Sequence, residues 1–210
     1  MKIFILGGTG YAGSAIAAET ARRGHDVTVI ARKTPPRLID GVSYLTADLT
    51  DTGSLSSLMS GAEVIISTLS PRGDMANKLF PTVKEVAAWA SQIDARFISM
   101  GGFSSLRMGD NGPRIVSVGR FPDALQTVVN EMAEVVDWLE SSAPKGLRWL
   151  YISPAQGFGS YSDTKPTGHY EIGGNTMEVE NSVLAVEDLA LAVADEVERD
   201  EHSGHISIRN

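Results

Sequence analysis

A short apolar run, Lys2-Ile3-Phe4-Ile5-Leu6, passes without a spacer into Gly7-Gly8-Thr9-Gly10-Tyr11-Ala12-Gly13, and the small-residue segment from Ser14 to Arg23 follows. Strand, tight glycine turn and helix in that order form the first half of a βαβ unit built to hold a dinucleotide. Gly7 permits the turn out of the strand. Gly10 lets a ligand approach the backbone, and Gly13 with Ala12 and Ala15 lets the helix pack closely on the sheet. The unpaired N–H groups and positive pole of the helix then face the diphosphate. Gly8-x-Gly10-x-x-Gly13 is an overlapping register, but Gly7 is the first glycine after the strand, so Gly7-x-x-Gly10-x-x-Gly13 is preferred. The bland alternative is a turn that merely joins strand to helix.

Beyond the elbow, β-branched runs alternate with segments of helical period. The pattern places strands at 2–6, 26–31, 42–46, 63–68, 95–99, 147–152 and 205–209, with helices near 11–23, 52–60, 75–92, 123–141 and 186–199. This is an α/β chain: a single Rossmann-type domain over 1–210, with a doubly wound parallel sheet covered by helices on both faces. Leu125, Val128, Val129, Met132, Val135, Val136 and Leu139 mark the buried stripe of one helix, and Pro122 suits its first turn. Arg22, Arg23 and Gly24 suit the end of another. The polar stretches 69–74, 100–113 and 153–175 each follow a strand's carboxyl end, where open parallel sheets bind ligands. Residues 153–182 are expected to form a lid on the substrate side. Within it, Tyr170-Glu171-Ile172 and Thr176-Met177-Glu178-Val179 read as a small hairpin around Gly173-Gly174-Asn175.

Composition removes several alternatives. With no cysteine there is no disulfide scaffold, zinc ribbon, Fe–S cluster or thiol nucleophile, so redox chemistry here needs a borrowed cofactor. A formal charge of -8, from 18 Lys and Arg against 26 Asp and Glu without a basic cluster, argues against nucleic acid and anionic membrane as partners. The opening IFIL falls far short of the roughly 20 apolar residues that span a bilayer, and a cytoplasmic location is expected. Of the four histidines, His25, His169, His202 and His205, only the last two lie close together, with no third ligand in view, so no metal is expected. No Gly-x-Ser-x-Gly elbow and no Walker lysine is present. Trp89, Trp138 and Trp149 fall in helix or strand patterns as core residues.

The second strand bears on which dinucleotide is held. NAD binders usually place an acid at its carboxyl end, but here the strand ends Ile30-Ala31-Arg32-Lys33, and Asp26 lies at the wrong end. Arg32, assisted by Lys33 or Arg37, favours the 2′-phosphate of NADP(H), with NAD(H) still possible; the alternative is a solvated basic turn. Asp48 and Leu49 follow the third strand and suit the adenine, although Asp48 could equally cap the next helix. Asp51 is expected to do so.

The chain resembles the atypical short-chain dehydrogenases of the NmrA-like group, and within it the NAD(P)H-flavin reductases related to biliverdin reductase B. The likeness runs through GGTGYAG, MGGFSSL (100–106), RFP (120–122), WLYISPA (149–155), TGHYEIGG (167–174) and VLAVEDLALAVADEVE (183–198). It implies pyrophosphate contacts from Gly7, Thr9, Gly10, Tyr11 and Ala12, a 2′-phosphate contact from Arg32, and adenine contacts from Asp48 and Leu49. It also implies that Leu69 and Ser70 lie on the nicotinamide ribose side, and that Gly101, Pro154 and Ala155 lie around the nicotinamide. Close relatives tend to read GGAGSL where this chain has Gly101-Gly102-Phe103-Ser104-Ser105-Leu106, which puts Phe103 and the Ser104 hydroxyl near the hydride face.

Typical short-chain dehydrogenases carry a tyrosine four residues before a lysine on the helix after the fifth strand, and the helix at 123–141 has neither. Tyr161 and Lys165 have that spacing, but Pro166 follows and the segment reads as a loop, so the match is coincidental. Transfer of hydride to a planar acceptor makes a smaller demand, since a flavin or quinone takes its proton from solvent. Flavin is then a substrate rather than a tightly bound cofactor. Phe103, Ser104, Gln156, Phe158, His169 and Tyr170 are candidates to line the acceptor pocket, with His169 the one possible proton donor; packing or loop capping is the alternative for each. An NADPH-dependent reductase of a small planar molecule is the expected function, with a catalytic residue unknown. The rival is a dinucleotide-sensing regulator without turnover. Monomer and homodimer fit equally.

Overall fold

The computed structural model describes residues 1–210. Its strands are β1 (Lys2–Leu6), β2 (Asp26–Ala31), β3 (Val42–Thr46), β4 (Val64–Ser67), β5 (Arg96–Met100), β6 (Trp149–Pro154), β7 (Glu171–Gly173) and β8 (Gly204–Arg209). Its helices are α1 (Tyr11–Arg22), α2 (Thr52–Leu58), α3 (Leu79–Gln92), α4 (Ile115–Val118), α5 (Asp123–Ser142) and α6 (Val186–Arg199). They build one sheet in the order β3-β2-β1-β4-β5-β6-β8-β7, parallel except for β7. The chain winds outward from β1 to one side and from β4 to the other, so the carboxyl ends of β1 and β4 flank the switch point where ligands bind in such sheets.

Both faces are covered because the strands are apolar on both sides. One apolar cluster of 22 buried residues lies under α1 and α6, and a second of 22 lies under α2, α3 and α5. Successive residues of β1 divide between them, Ile3 and Ile5 to the first and Phe4 and Leu6 to the second, as the two-residue period of a strand requires. Helix α1 stops as expected: Gly24 takes φ +85° and its N–H bonds to the Ala21 carbonyl.

Three local expectations need correction. The helix expected at 75–92 begins at Leu79, preceded by a separate 3-10 turn at Gly73–Met75. Between them Asn77 adopts φ +61°, and the buried carboxylate of Glu131 on α5 receives the backbone N–H groups of Asn77, Leu79 and Phe80. That tertiary cap sets the helix start. The hairpin at 170–179 does not form. Glu171–Gly173 pairs antiparallel with the open edge of β8, while Thr176 bridges Arg107. A sheet edge nearby supplies more backbone partners than the short return strand could. A 3-10 turn at Phe103–Ser105 forms within the polar stretch 100–113, and helix α4 follows it in a segment where no element is expected.

Candidate functional site

The elbow after β1 is open. Thr9, Gly10 and Tyr11 are exposed, and Gly10 caps α1 without any side-chain hydrogen bond. Gly10 N–H bonds to the Gly7 carbonyl at 2.9 Å and Ser14 N–H to the Gly10 carbonyl at 2.9 Å, which leaves the first-turn amides of Tyr11 and Ala12 directed at the open side. The glycines differ in what demands them. A Cβ on Gly13 would stand 2.5 Å from Thr68 Oγ1 and 2.7 Å from the Gly7 carbonyl oxygen and Gly8 Cα, so the fold itself requires glycine there. A Cβ on Gly10 would meet only the Gly7 carbonyl oxygen, at 3.3 Å. The fold's own demand for glycine is therefore weaker at position 10 than at 13, and the open first turn leaves amides of the kind that hold an anion. Leu69 is buried beneath Gly7, and Ser70 follows it on the β4 loop.

Where β2 and β3 end lies a cavity of about 600 Å³ lined by Arg32, Thr46, Ala47, Asp48, Thr50, Asp74, Met75 and Lys78. Arg32 stands one residue past β2, as its sequence position implied. Its expected assistants, Lys33 and Arg37, do not line the cavity; the second cation there is Lys78, which the sequence reading missed. Asp48 does face the cavity, but its Oδ1 also accepts from Thr50 N–H at 2.9 Å and Thr50 Oγ1 at 2.8 Å. Those two bonds, with Lys78 and Arg32 nearby, hold its carboxyl below the usual range. Leu49 packs into the core rather than lining the cavity, and Asp51 caps α2 through Ser54 N–H at 3.3 Å. Asp74, also unanticipated, accepts from Arg32 Nη1 at 2.6 Å.

The other end of the site lies where β5 and β6 end. A Cβ on Gly101 would fall 2.2 Å from the Tyr151 ring, so glycine is required by close packing. Ser153 Oγ donates to the Gly102 carbonyl at 2.9 Å and lies 2.9 Å from His205 Nε2, which is therefore the donor to Ser153. His205 Nδ1 is left buried without a hydrogen-bond partner, 3.7 Å from Glu140. Burial holds the imidazole below its ordinary value. Tyr151 Oη donates to the Met132 carbonyl at 2.7 Å and sits 3.1 Å from Ser105 Oγ; burial pushes its phenol up. Of the α5 side chains, Met132 comes up against Gly102: its sulfur would lie 3.0 Å from a Cβ there. A thioether stands there and donates no proton.

The candidate acceptor residues do not converge. Phe103 and Ala155 share a crevice of only about 10 Å³ with Leu106 and residues 176–179. Ser104 is buried, and Pro154 ends β6 in the sheet. Gln156 braces the loop by accepting from Asn181 N–H at 3.1 Å. Phe158 packs on Tyr11 with ring centroids 5.4 Å apart, beside the elbow. His169 is an exposed ring at the sheet margin. Tyr170 donates to Asp195 at 2.5 Å on α6, and burial, then that carboxylate, pushes its phenol up to about 12. Tyr161 and Lys165 lie in loop, with Tyr161 Oη bonded to the Phe158 carbonyl. The close histidine pair parts company. His202 bonds Glu196, which also holds Arg96 at 3.0 Å, and His205 turns into the core. No helix is long and apolar enough to cross a membrane.

Comparison with known proteins agrees with this geometry. An uncharacterised Bacillus subtilis protein, YwnB, is 27% identical over 212 residues, 96% of this chain and 94% of its own. A maize isoflavone reductase homologue is 40% identical over 79 residues, but these are 32% of this chain and 26% of that one. A Streptococcus pneumoniae structure named provisionally as an NADH-flavin reductase superposes with a TM-score of 0.86 at 25% identity, covering 100% of this chain and 99% of its own. Together with a family match over residues 7–200, these bear out the likeness to atypical short-chain dehydrogenases. The open elbow and the sheet that carries it are those of the NAD(P)H-binding family, to which this chain belongs.

Proposed function

We propose that the protein is an NADPH-dependent oxidoreductase that reduces a planar acceptor such as a flavin or quinone. The observation that carries this reading is the pair of cations, Arg32 and Lys78, at the cavity where β2 and β3 end. An extra phosphate on the adenosine ribose is the feature of NADPH that two cations select. When bound, the dinucleotide supplies a hydride. This chain's part is to hold the diphosphate on the Tyr11 and Ala12 amides, pair the 2′-phosphate, and keep the β5 and β6 ends rigid through Ser153, Tyr151 and Ser105. Met132 offers no proton, so an acceptor that draws one from solvent suits the site better than a carbonyl or an alcohol.

One observation favours a second reading, in which the chain binds the dinucleotide to sense redox state and does not turn it over. The crevice beside Phe103 and Ala155, at about 10 Å³, holds no ring system unless residues 176–179 move. A single assay separates the two. Purified protein is mixed with NADPH and a panel of flavins and quinones, and loss of the nicotinamide absorbance is followed. Turnover on any member supports the reductase; firm NADPH binding without turnover across the panel supports the sensor. Arg32→Ala is expected to weaken NADPH about ten- to a hundredfold, as loss of a charged hydrogen-bond partner does, with NADH changed far less. Equal losses for the two would remove the phosphate role.

A further inference from the structure

Asp74 bears directly on how strongly that phosphate is preferred. Its carboxylate sits on the Arg32 guanidinium at 2.6 Å, where an arriving anion would bind, and both residues line the same cavity. Four charges meet there, two of each sign. Lys78 and Arg32 face Asp48, but Asp48 already accepts from Thr50 twice. Asp74 has Arg32 as its hydrogen-bond partner, from a short 3-10 turn entered through Gly73 at φ +58°.

The contact is exposed, with side-chain accessibilities of 49% for Arg32 and 83% for Asp74. A pair so solvated is worth little, weak enough for a phosphate dianion to displace. A ribose hydroxyl has no charge with which to displace it, and nothing to gain by doing so. We infer that Asp74 is a specificity-determining residue of the adenosine site. It is a tethered competitor that holds Arg32 when no 2′-phosphate is present and so narrows the preference for NADPH over NADH. This rests on the proposal that Arg32 reads the 2′-phosphate.

The test is calorimetric titration of the full chain with NADPH and NADH, and with 2′,5′-ADP and 5′-AMP as probes that lack the nicotinamide. Asp74→Asn keeps the side-chain shape and removes the charge. It is expected to tighten NADPH and 2′,5′-ADP about three- to tenfold while NADH and 5′-AMP change less than about twofold, with the gain shrinking at high salt. Asp74→Ala should do the same, and neither gain should survive in an Arg32→Ala background. An unchanged NADPH to NADH ratio in Asp74→Asn, or equal change for both, overturns the inference. If Arg32→Ala still collapses that ratio, only the role of Asp74 has failed. If Arg32→Ala leaves it unmoved, the phosphate reading falls and this inference with it.

Discussion

Replacing Glu140 with glutamine removes the charge on which two arginines converge beneath the β5 loop. Glu140 lies near the end of α5, its side chain 25% exposed, and accepts from Arg107 at 2.9 Å and Arg114 at 2.8 Å. Its carboxyl is held down to about 2 by His205 beside it and, against the opposing effect of burial, by Arg107 and Arg114. The His205 contact, at 3.7 Å, is longer than a hydrogen bond, so the guanidinium groups carry most of the effect. The full depression from 4.5 to about 2 would be roughly 3 kcal/mol at pH 7; without the His205 share, and with solvent screening the rest, about 1–2 kcal/mol remains for the arginines. The folded value is the lower one, so the contribution is complete above 4.5 and drains away as pH falls toward 2. At about pH 3.5 the same relation leaves less than half of that. Urea unfolding followed by tryptophan fluorescence should show Glu140→Gln less stable than the native chain by about 1–2 kcal/mol at pH 7, with the gap narrowing by more than half at pH 3.5. A gap that does not change with pH, or one below about 0.5 kcal/mol at pH 7, would show that the arginines are satisfied without this carboxylate.

Three further outcomes follow from neighbouring groups. Burial lowers the value for His205, so its neutral form contributes fully above 6.5 and stability is lost as pH falls from there toward the lower folded value. His205→Gln should flatten that limb of a melting-temperature profile, and identical slopes in both proteins would refute it. Glu131→Gln, at a position 7% exposed, weakens the cap on α3 and should cost about 2 kcal/mol, with faster amide exchange at Leu79 and Phe80; unchanged protection there would rule out a capping role. Gly13→Ala and Gly10→Ala form a contrasting pair. The first meets backbone atoms at 2.7 Å and should destabilise the fold by about 2 kcal/mol or more, whereas the second asks only a small shift of the Gly7 carbonyl, should cost the fold less, and should lose dinucleotide binding in calorimetry. A Gly10→Ala protein that binds NADPH as tightly as the native chain would contradict the placement of the diphosphate.

The sheet and the elbow were legible because each is written locally. Four-to-six-residue β-branched runs, a glycine series at the end of the first, and a seven-residue apolar stripe on α5 need no knowledge of distant partners. What the sequence hid depends on residues far apart in the chain. Glu131 sets the start of α3 from 51 to 54 positions away, and no local pattern at 75–79 records it. Residues 176–179 looked like a return strand by composition, but β7 had the edge of β8 available, and the edge won. Ser153 and His205 were ordinary strand residues until their pairing across β6 and β8 brought them within 2.9 Å beside Gly102.

The same distinction governs the adenosine site, where Arg32 was readable and its consequence was not. A guanidinium after β2 signals an anion only to the extent that no carboxylate in the chain already holds it. Asp74 lies 42 positions away in a 3-10 turn that ends at Met75, where the helix is expected to begin, and Lys78 lies just beyond that turn. Had 73–78 been one continuous helix, residues 74 and 78 would sit one turn apart on a single face. The 3-10 turn and the left-handed Asn77 break that register, and the two side chains reach the same cavity from separate pieces of backbone. Cofactor preference in such a chain is therefore a difference between two anions competing for one cation, and a motif that names only the cation cannot give its size.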